Sequence, residues 1–223
     1  MTIGPPSTMA PSRSMRNDAA ANWRSVCLIT LGAFLGLSVA AFATGLLPGD
    51  LAVRHDLLEQ ETPLAYRFAR VANQAGTWHV LLPATLLLYL LSRAARRHWW
   101  LWGAVMLGSS LIEHGFKVLV GRPRPSGFSL GFPSGHSTAA AAFAIVLVYI
   151  VSRERLTRGQ RHAIQALAIG VMVLVGWARI VLHAHWPTDV LGGFLLGAGC
   201  AAAGAWWESA RPDAAPGVAA PLT

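Results

Sequence analysis

Six apolar stretches, each close to the length that crosses a lipid bilayer, restrict the fold of this chain more than any other feature. A transmembrane helix needs about 20 mostly apolar residues. Only 13% of the 223 residues are charged, about half the ~25% of soluble domains, which argues against both a soluble and a disordered chain. The sequence therefore predicts an all-α polytopic membrane protein with six transmembrane helices, at approximately residues 25–47, 75–92, 99–120, 137–152, 162–182 and 188–207.

The segments around these stretches differ in composition. Residues 1–22 are rich in Ser, Pro, Met and Arg, and we expect disordered cytoplasmic tails at 1–22 and 209–223 around a domain at 23–208. Ala41 to Ala43 fit a signal-peptidase site, but the long apolar run favours an uncleaved anchor. After the first span, Thr62-Pro63 and the apolar positions that follow predict a short surface helix, beside a lipid entrance or as a packed connector.

Lysine and arginine are unevenly divided between the two sides of the bundle. One side carries 11 of the 18, at Arg13, Arg16, Arg24, Arg93, Arg96, Arg97, Arg153, Arg155, Arg158, Arg161 and Arg211. Positive residues stay cytoplasmic, so both termini are expected in the cytoplasm, with the protein in the cell (inner) membrane. Topology thereby explains the net charge of +8, and no nucleic-acid partner is expected. Cys27 and Cys200 lie in apolar runs, which predicts neither a disulfide nor a metal framework.

Three polar clusters interrupt the apolar chain, and the predicted topology brings all three to the outer, non-cytoplasmic face. The first runs from Lys117 to Pro125 at the end of the third span. The second is Pro133 to His136, before the fourth span. The third runs from Arg179 to Asp189, crossing from the fifth span into the sixth. Because charges at membrane depth are costly, this convergence predicts a single polar site at the outer membrane interface.

The residue types in these clusters suit a phosphoryl group. Lys117, Arg124 and Arg179 supply positive charge for its oxygens, and a Ser134-Gly135 turn that opens a helix offers backbone N–H groups to an anion. His136 and His185 can act as acid, base or nucleophile near neutral pH. Asp189, four residues after His185, can orient that ring.

Two other interpretations of these polar residues concern ion pairing and metal binding. Glu113 and Lys117 have the i,i+4 spacing of an ion pair, which does not exclude a role for Lys117. A metal site is the sharper alternative, although three nearby cations would repel a divalent ion. Its candidate ligands are Glu113, His114, His183, His185 and Asp189.

The three clusters resemble the signature of the type 2 phosphatidic acid phosphatase family, which shares its site architecture with vanadium haloperoxidases. The family pattern is Lys-x6-Arg-Pro, Pro-Ser-Gly-His and Ser-Arg-x5-His-x3-Asp. Lys117 to Pro125 fit the first part and Pro133 to His136 the second. Arg179, His185 and Asp189 fit the third, with Ala178 where the family usually has Ser.

The resemblance implies a role for each matched residue. His185 is the nucleophile that forms a phosphohistidine, Asp189 orients it, and His136 protonates the leaving oxygen. Phosphate is bound by Lys117, Arg124, Ser134, Gly135 and Arg179. Glu113, Arg122 and His183 lie beside these positions and are treated as supporting residues, and no metal or other cofactor is implied.

The expected function is hydrolysis of a lipid phosphate at the outer (periplasmic or extracellular) face of the membrane. The candidate substrates are isoprenoid diphosphate, phosphatidate, phosphatidylglycerol phosphate and lipid A phosphate. One alternative is a phosphotransferase that passes the phosphoryl group to a lipid or sugar acceptor. Another is a non-enzymatic protein that binds or transports lipid phosphates. The sequence leaves the oligomeric state open.

Overall fold

The chain is described by a computed structural model that covers residues 13–211 except Gln60 and Phe128. Within these ranges the secondary structure is helical, apart from an isolated bridge between Pro123 and Leu130. The helices are α1 (Arg13–Thr44), α2 (Asp50–Glu59), α3 (Pro63–Gln74), α4 (Trp78–Leu91), α5 (Arg93–Arg97), α6 (Trp99–Val120), α7 (Gly135–Arg153), α8 (Arg158–Val181) and α9 (Pro187–Ser209).

Five of the described helices, α1, α6, α7, α8 and α9, are long and apolar enough to cross a membrane. A sixth span exists only if α3 and α4, which meet at an angle of 49°, count as one bent span. By itself α4 has 14 residues, about 21 Å of helix against a hydrocarbon core of about 30 Å. The all-helical membrane bundle is confirmed, with five spans or, with the bent pair, six.

The helix ends refine the predicted boundaries. α1 begins at Arg13, ten residues before the predicted domain start, so residues 13–22 are helical and the expectation of disorder was wrong for them. Ala19 to Ala21 are strong helix formers, which explains the extension. Residues 1–12 and 212–223 lie outside the described residues. The short helix after the first span is confirmed as α3, whose N-cap Thr62 Oγ1 accepts from Ala65 N at 3.1 Å.

The bundle is organised around α9, which contacts α1, α6, α7 and α8. Gly193 and Gly197 allow α9 to lie against the backbone of α7: a Cβ at Gly193 would come 2.6 Å from Ser134 O, and one at Gly197 would come 2.2 Å from Thr138 O. Leucine, valine and tryptophan side chains cover the outside of the helices, as lipid-facing residues do; Leu91, for example, is 77% exposed. The chain is therefore a multi-pass membrane protein.

All three polar clusters lie at one end of this bundle. The C-termini of α6 and α8 meet the N-termini of α7 and α9 there, so the two connecting loops share that end. Phe132 of the α6–α7 loop stacks on Phe34 of α1, which also contacts Phe116 of α6. These aromatic contacts attach the loop to the bundle.

Candidate active site

The loop from α6 to α7 is shaped by its own backbone hydrogen bonds. α6 ends at Gly121, whose φ of 66° is the left-handed conformation that glycine adopts readily. Arg124 N donates to Ser129 O at 2.9 Å, and Arg124 Nε donates to Leu130 O at 3.0 Å. The guanidinium of Arg124 is therefore held by the loop that carries it.

Lys117 connects α6 to the start of α7. Its Nζ contacts the carboxylate of Glu113, which confirms the predicted ion pair, and donates to Pro133 O at 2.9 Å. Glu113 is buried, and a Cβ on Gly135 would come 2.9 Å from Glu113 Oε1. Glu113 therefore supports both Lys117 and the backbone of the Ser134-Gly135 turn.

Ser134 and Gly135 form a turn at the N-terminus of α7. Ser134 is the N-cap residue; it is buried, and its N–H donates to Asp189 O at 2.9 Å. Its Oγ accepts from Ser137 Oγ at 3.0 Å. His136 follows in the first turn of α7, where its Cβ packs close to Gly76 at the bend between α3 and α4. The turn is thus anchored to α9 on one side and to the α3–α4 bend on the other.

Arg179 lies in the last turn of α8, and His185 lies on the connection from α8 to α9. Arg179 is buried, and its Nη1 donates to Asn73 Oδ1 on α3 at 2.6 Å. The backbone N–H groups of Ala184 and His185 both donate to Arg179 O, at 3.0 and 3.2 Å, which folds the connection back over the end of α8. Arg179 Nε is buried and has no hydrogen-bond partner among the described residues.

Asp189 organises the histidine. Its Oδ2 lies 3.3 Å from His185 Nδ1 and accepts from Trp186 N at 3.0 Å. Its Oδ1 accepts from Arg122 Nη1 at 2.9 Å. Asp189 is fully buried and His185 is 1% exposed. Because Asp189 engages Nδ1, Nε2 is the ring nitrogen that can attack an electrophile.

The charged groups converge electrostatically. His136 lies within range of the charges on Lys117, Arg124 and Arg179 and of His185. His185 itself faces Asp189, Arg179 and Arg124. Burial lowers the pKa of His185 to about 4, while the hydrogen bond to Asp189 acts in the opposite direction. At neutral pH the His185 ring is therefore a neutral imidazole, and it lies beside several cations.

Two residues of the sequence analysis lie apart from this cluster. His183 is exposed, with its ring nitrogens 2.9 Å from Arg54 Nη2 and 3.1 Å from Glu61 Oε2, so it ties the connection to α2 and to the loop that follows α2. His114 is 77% exposed and pairs with Glu113 on the same helix. Within the described ranges, no three His, Cys, Asp or Glu side chains are grouped as metal ligands. The five candidate ligands do not come together.

Three residues that the sequence analysis missed are built into the site. Asp50, at the start of α2, is fully buried and contacts Arg122. Thr188 Oγ1 accepts from Arg122 Nη1 at 2.7 Å. Asn73 holds Arg179. A polar residue at a helix end is ordinary in sequence, and only Thr188, next to Asp189, carried a local signal.

Comparison with known proteins adds independent evidence. The chain is 31% identical over 148 residues to an uncharacterized 22.5 kDa protein in the cps region of Klebsiella pneumoniae, covering 62% of this chain and 68% of that protein. It is 39% identical over 70 residues to phosphatidylglycerophosphatase B of Bacillus subtilis, covering 31% of this chain and 34% of the enzyme. That match therefore spans about a third of the enzyme's length.

The comparison with solved structures and the family profile agree with each other. The structure is similar to the crystal structure of a transmembrane PAP2 type phosphatidylglycerolphosphate phosphatase from Bacillus subtilis, with a TM-score of 0.74 and 25% identity over 84% of this chain and 98% of that one. The PAP2 superfamily profile matches residues 97–213, which include all three polar clusters. Since this match covers more than half of the chain, the protein belongs to the PAP2 superfamily.

Proposed function

We propose that this protein is a membrane-embedded, metal-independent lipid phosphate phosphatase that works through a phosphohistidine on His185. The observation that carries the proposal is the arrangement of His185: Asp189 holds its Nδ1, and Arg179, Arg124 and His136 lie within electrostatic range. A neutral, oriented imidazole among fixed cations is suited to attack a phosphoryl group.

In the first step the lone pair of His185 Nε2 attacks phosphorus. The bond from phosphorus to the leaving oxygen breaks, and that oxygen keeps the electron pair and takes a proton from His136. Lys117, Arg124 and Arg179 neutralise the charge of the phosphoryl oxygens. Ser134 and the N–H of Gly135 donate hydrogen bonds to the same oxygens. Asp189 stabilises the positive charge that develops on the imidazole ring.

In the second step water attacks the phosphohistidine. His136 takes a proton from that water, the Nε2–phosphorus bond breaks, and its electron pair returns to the ring. Inorganic phosphate leaves, and both histidines regain their starting protonation states. The fixed cations supply the charge neutralisation that magnesium provides in many phosphoryl-transfer enzymes.

An apolar groove between α3 and α8 is an argument for a lipid substrate. It has a volume of about 790 Å³ and is lined almost entirely by apolar side chains, among them Phe68, Leu174 and Trp177. Trp177 precedes Arg179 by two residues on α8. We propose that the hydrocarbon chain of the substrate occupies this groove while its phosphate reaches Arg179. Phosphatidylglycerol phosphate, phosphatidate, isoprenoid diphosphate and lipid A phosphate all fit this description.

The test is phosphate release by the purified full-length protein in detergent, with EDTA, on those four substrates. We expect release from at least one of them, and abolition of release in His185→Ala. Gly159→Ala is the matched control, because Gly159 is exposed and a Cβ there meets nothing within 4 Å. Residual activity of His185→Ala within tenfold of the wild type overturns the nucleophile. Loss in EDTA that a divalent metal restores overturns metal independence.

A further inference from the structure

Asp50, Arg122 and Thr188 form a buried polar network behind Asp189. Arg122 is 2% exposed and lies between two fully buried carboxylates. Its Nη2 contacts Asp50 Oδ2, and its Nη1 donates to Asp189 Oδ1 at 2.9 Å. Thr188 N donates to Asp50 Oδ1 at 2.9 Å, and Thr188 Oγ1 accepts from Arg122. The carboxylates of Asp50 and Asp189 therefore both pair with the guanidinium of Arg122.

Burying three charges is an expensive way to join α2 to the site. Apolar side chains of similar volume would hold the same elements together at equal or lower cost. Within the part of the chain that the structure describes, the hydrogen bonds of Asp50 to the three polar clusters go to Arg122 and Thr188. Its effect on the reaction therefore passes through these two residues to Asp189, and its charge acts through Arg122.

The charge of the network explains what Asp50 adds. Phosphoryl transfer to Nε2 places a positive charge on the His185 ring, and Asp189 stabilises it. Arg122 alone would neutralise Asp189. With Asp50 present, the two carboxylates and one guanidinium keep a net single negative charge against the ring, in surroundings where charges are weakly screened.

We propose that Asp50 is a positioning residue for phosphoryl transfer: by offsetting the charge of Arg122, it keeps Asp189 effective as the partner of His185. This inference rests on the proposed function. Its first test is Asp50→Asn, which keeps the shape and removes the charge. We expect kcat, and the rate of phosphohistidine formation in rapid-quench measurements with 32P-labelled substrate, to fall about tenfold to a hundredfold, the range of outer partners of a ligating histidine, with KM little changed.

The decisive variant is Asp50→Asn combined with Arg122→Gln, which removes both charges and leaves Asp189 negative. The charge account predicts a kcat above that of Asp50→Asn alone, whereas a merely structural link predicts a lower one. Asp56→Asn is the matched control, since Asp56 is an exposed carboxylate on the same helix. It should behave as the wild type.

The outcomes separate this inference from the function on which it rests. Asp50→Asn with wild-type kcat, or a double variant slower than the single one, overturns the role of Asp50 while His185→Ala remains inactive. An active His185→Ala, or wild-type protein without a labelled phosphohistidine, overturns the proposed function itself. Monodisperse elution in detergent establishes that each variant is folded.

Discussion

Single side chains in this site are controlled by their immediate surroundings. His185 lies on the α8–α9 connection and is 1% exposed, with Asp189 at one ring nitrogen and two arginines nearby. Burial disfavours the imidazolium form, so the pKa of His185 falls to about 4. The ring is therefore available as a nucleophile well below the pH at which an exposed histidine becomes protonated.

This environment predicts the acid dependence of the reaction. We expect the acidic limb of kcat/KM, which belongs to His185, to lie near pH 4 and not near pH 6.5, after correction for the separately measured ionisation of the substrate phosphate. An alkaline limb is expected as well, because His136 must carry a proton to donate to the leaving oxygen. The stability of the folded protein depends on pH in the same direction. The folded state binds this proton less readily than the unfolded chain does, so stability is lost as the pH falls from about 6.5 toward 4. A corrected acidic limb at pH 6.5, with activity lost as the pH falls through that value, would contradict the assignment of His185.

Asn73 is predicted to position Arg179. Its Oδ1 accepts from Arg179 Nη1 at 2.6 Å, so Asn73→Ala leaves a buried guanidinium without this acceptor. We expect kcat/KM to fall by about tenfold, the loss of roughly one charge-assisted hydrogen bond. Gln74→Ala, at an exposed neighbour on α3, is the control. Equal activity of the two variants would show that Arg179 does not need Asn73.

Pairs of helices fix the distances between these side chains. The contact of α7 with α9 depends on Gly193, because a Cβ there would come 2.6 Å from Ser134 O and 2.8 Å from Ser137 Cβ. α3 and α8, by contrast, touch through Ala69, Ala72, Ala178 and Val181 and separate toward the groove. One pair is closely packed beside the Ser134 turn, and the other leaves an apolar groove.

Gly193→Ala tests the closely packed pair. The added methyl must displace the Ser134 turn, so we expect a loss of about 1–3 kcal/mol of stability, as for other overpacked cores, together with reduced kcat. Gly32→Ala is the matched change on α1, where a Cβ meets nothing within 4 Å. Thermal unfolding in detergent should separate them, and equal melting temperatures would contradict close packing at Gly193.

Gly170→Phe tests the pair that leaves the groove. Gly170 lines the groove, and a Cβ there meets nothing within 4 Å, so the ring can fill the groove without moving the helices. We expect kcat/KM to fall for long-chain lipid phosphates and to stay constant for a short-chain, water-soluble phosphate. Gly32→Phe, also open, controls for a bulky lipid-facing residue. An equal loss on both substrates would place the effect outside chain binding.

At the scale of the whole molecule, the bundle brings every element of the site to one end. The excess of arginine lies in the opposite tails and loops, and we propose that these are cytoplasmic and that the site faces outward. The bent pair α3–α4 bears on this topology, because an odd number of spans would place the two termini on opposite sides of the membrane.

Sidedness is measurable with a pair of cysteine variants. Ser126 is exposed in the site loop, and Gly159 is exposed at the opposite end, near the start of α8. In intact spheroplasts we expect a membrane-impermeant thiol reagent to label Ser126→Cys and to leave Gly159→Cys unlabelled until the cells are lysed. The two native cysteines lie within helices α1 and α9. Labelling of Gly159→Cys alone would invert the proposed orientation.

The sequence by itself determined the class of fold, because a hydrocarbon solvent admits few solutions: long apolar runs must be helical there, and charges at depth must gather. The candidate site residues could be identified from the sequence because they lie at characteristic spacings in short polar segments next to helix ends. They are Lys117, Arg124, His136, Arg179, His185 and Asp189. The Glu113–Lys117 pair followed from the i,i+4 rule.

Only the tertiary structure decided how distant elements support those residues. Asp50 reaches Arg122 across 72 positions of the chain, and Asn73 reaches Arg179 across 106. Neither spacing has a periodicity that a sequence could show. The contact of His183 with Arg54 likewise joins residues 129 positions apart in the chain. The chemically active residue types can be recognised along the chain, whereas the distant residues that hold them in place depend on which helices come into contact.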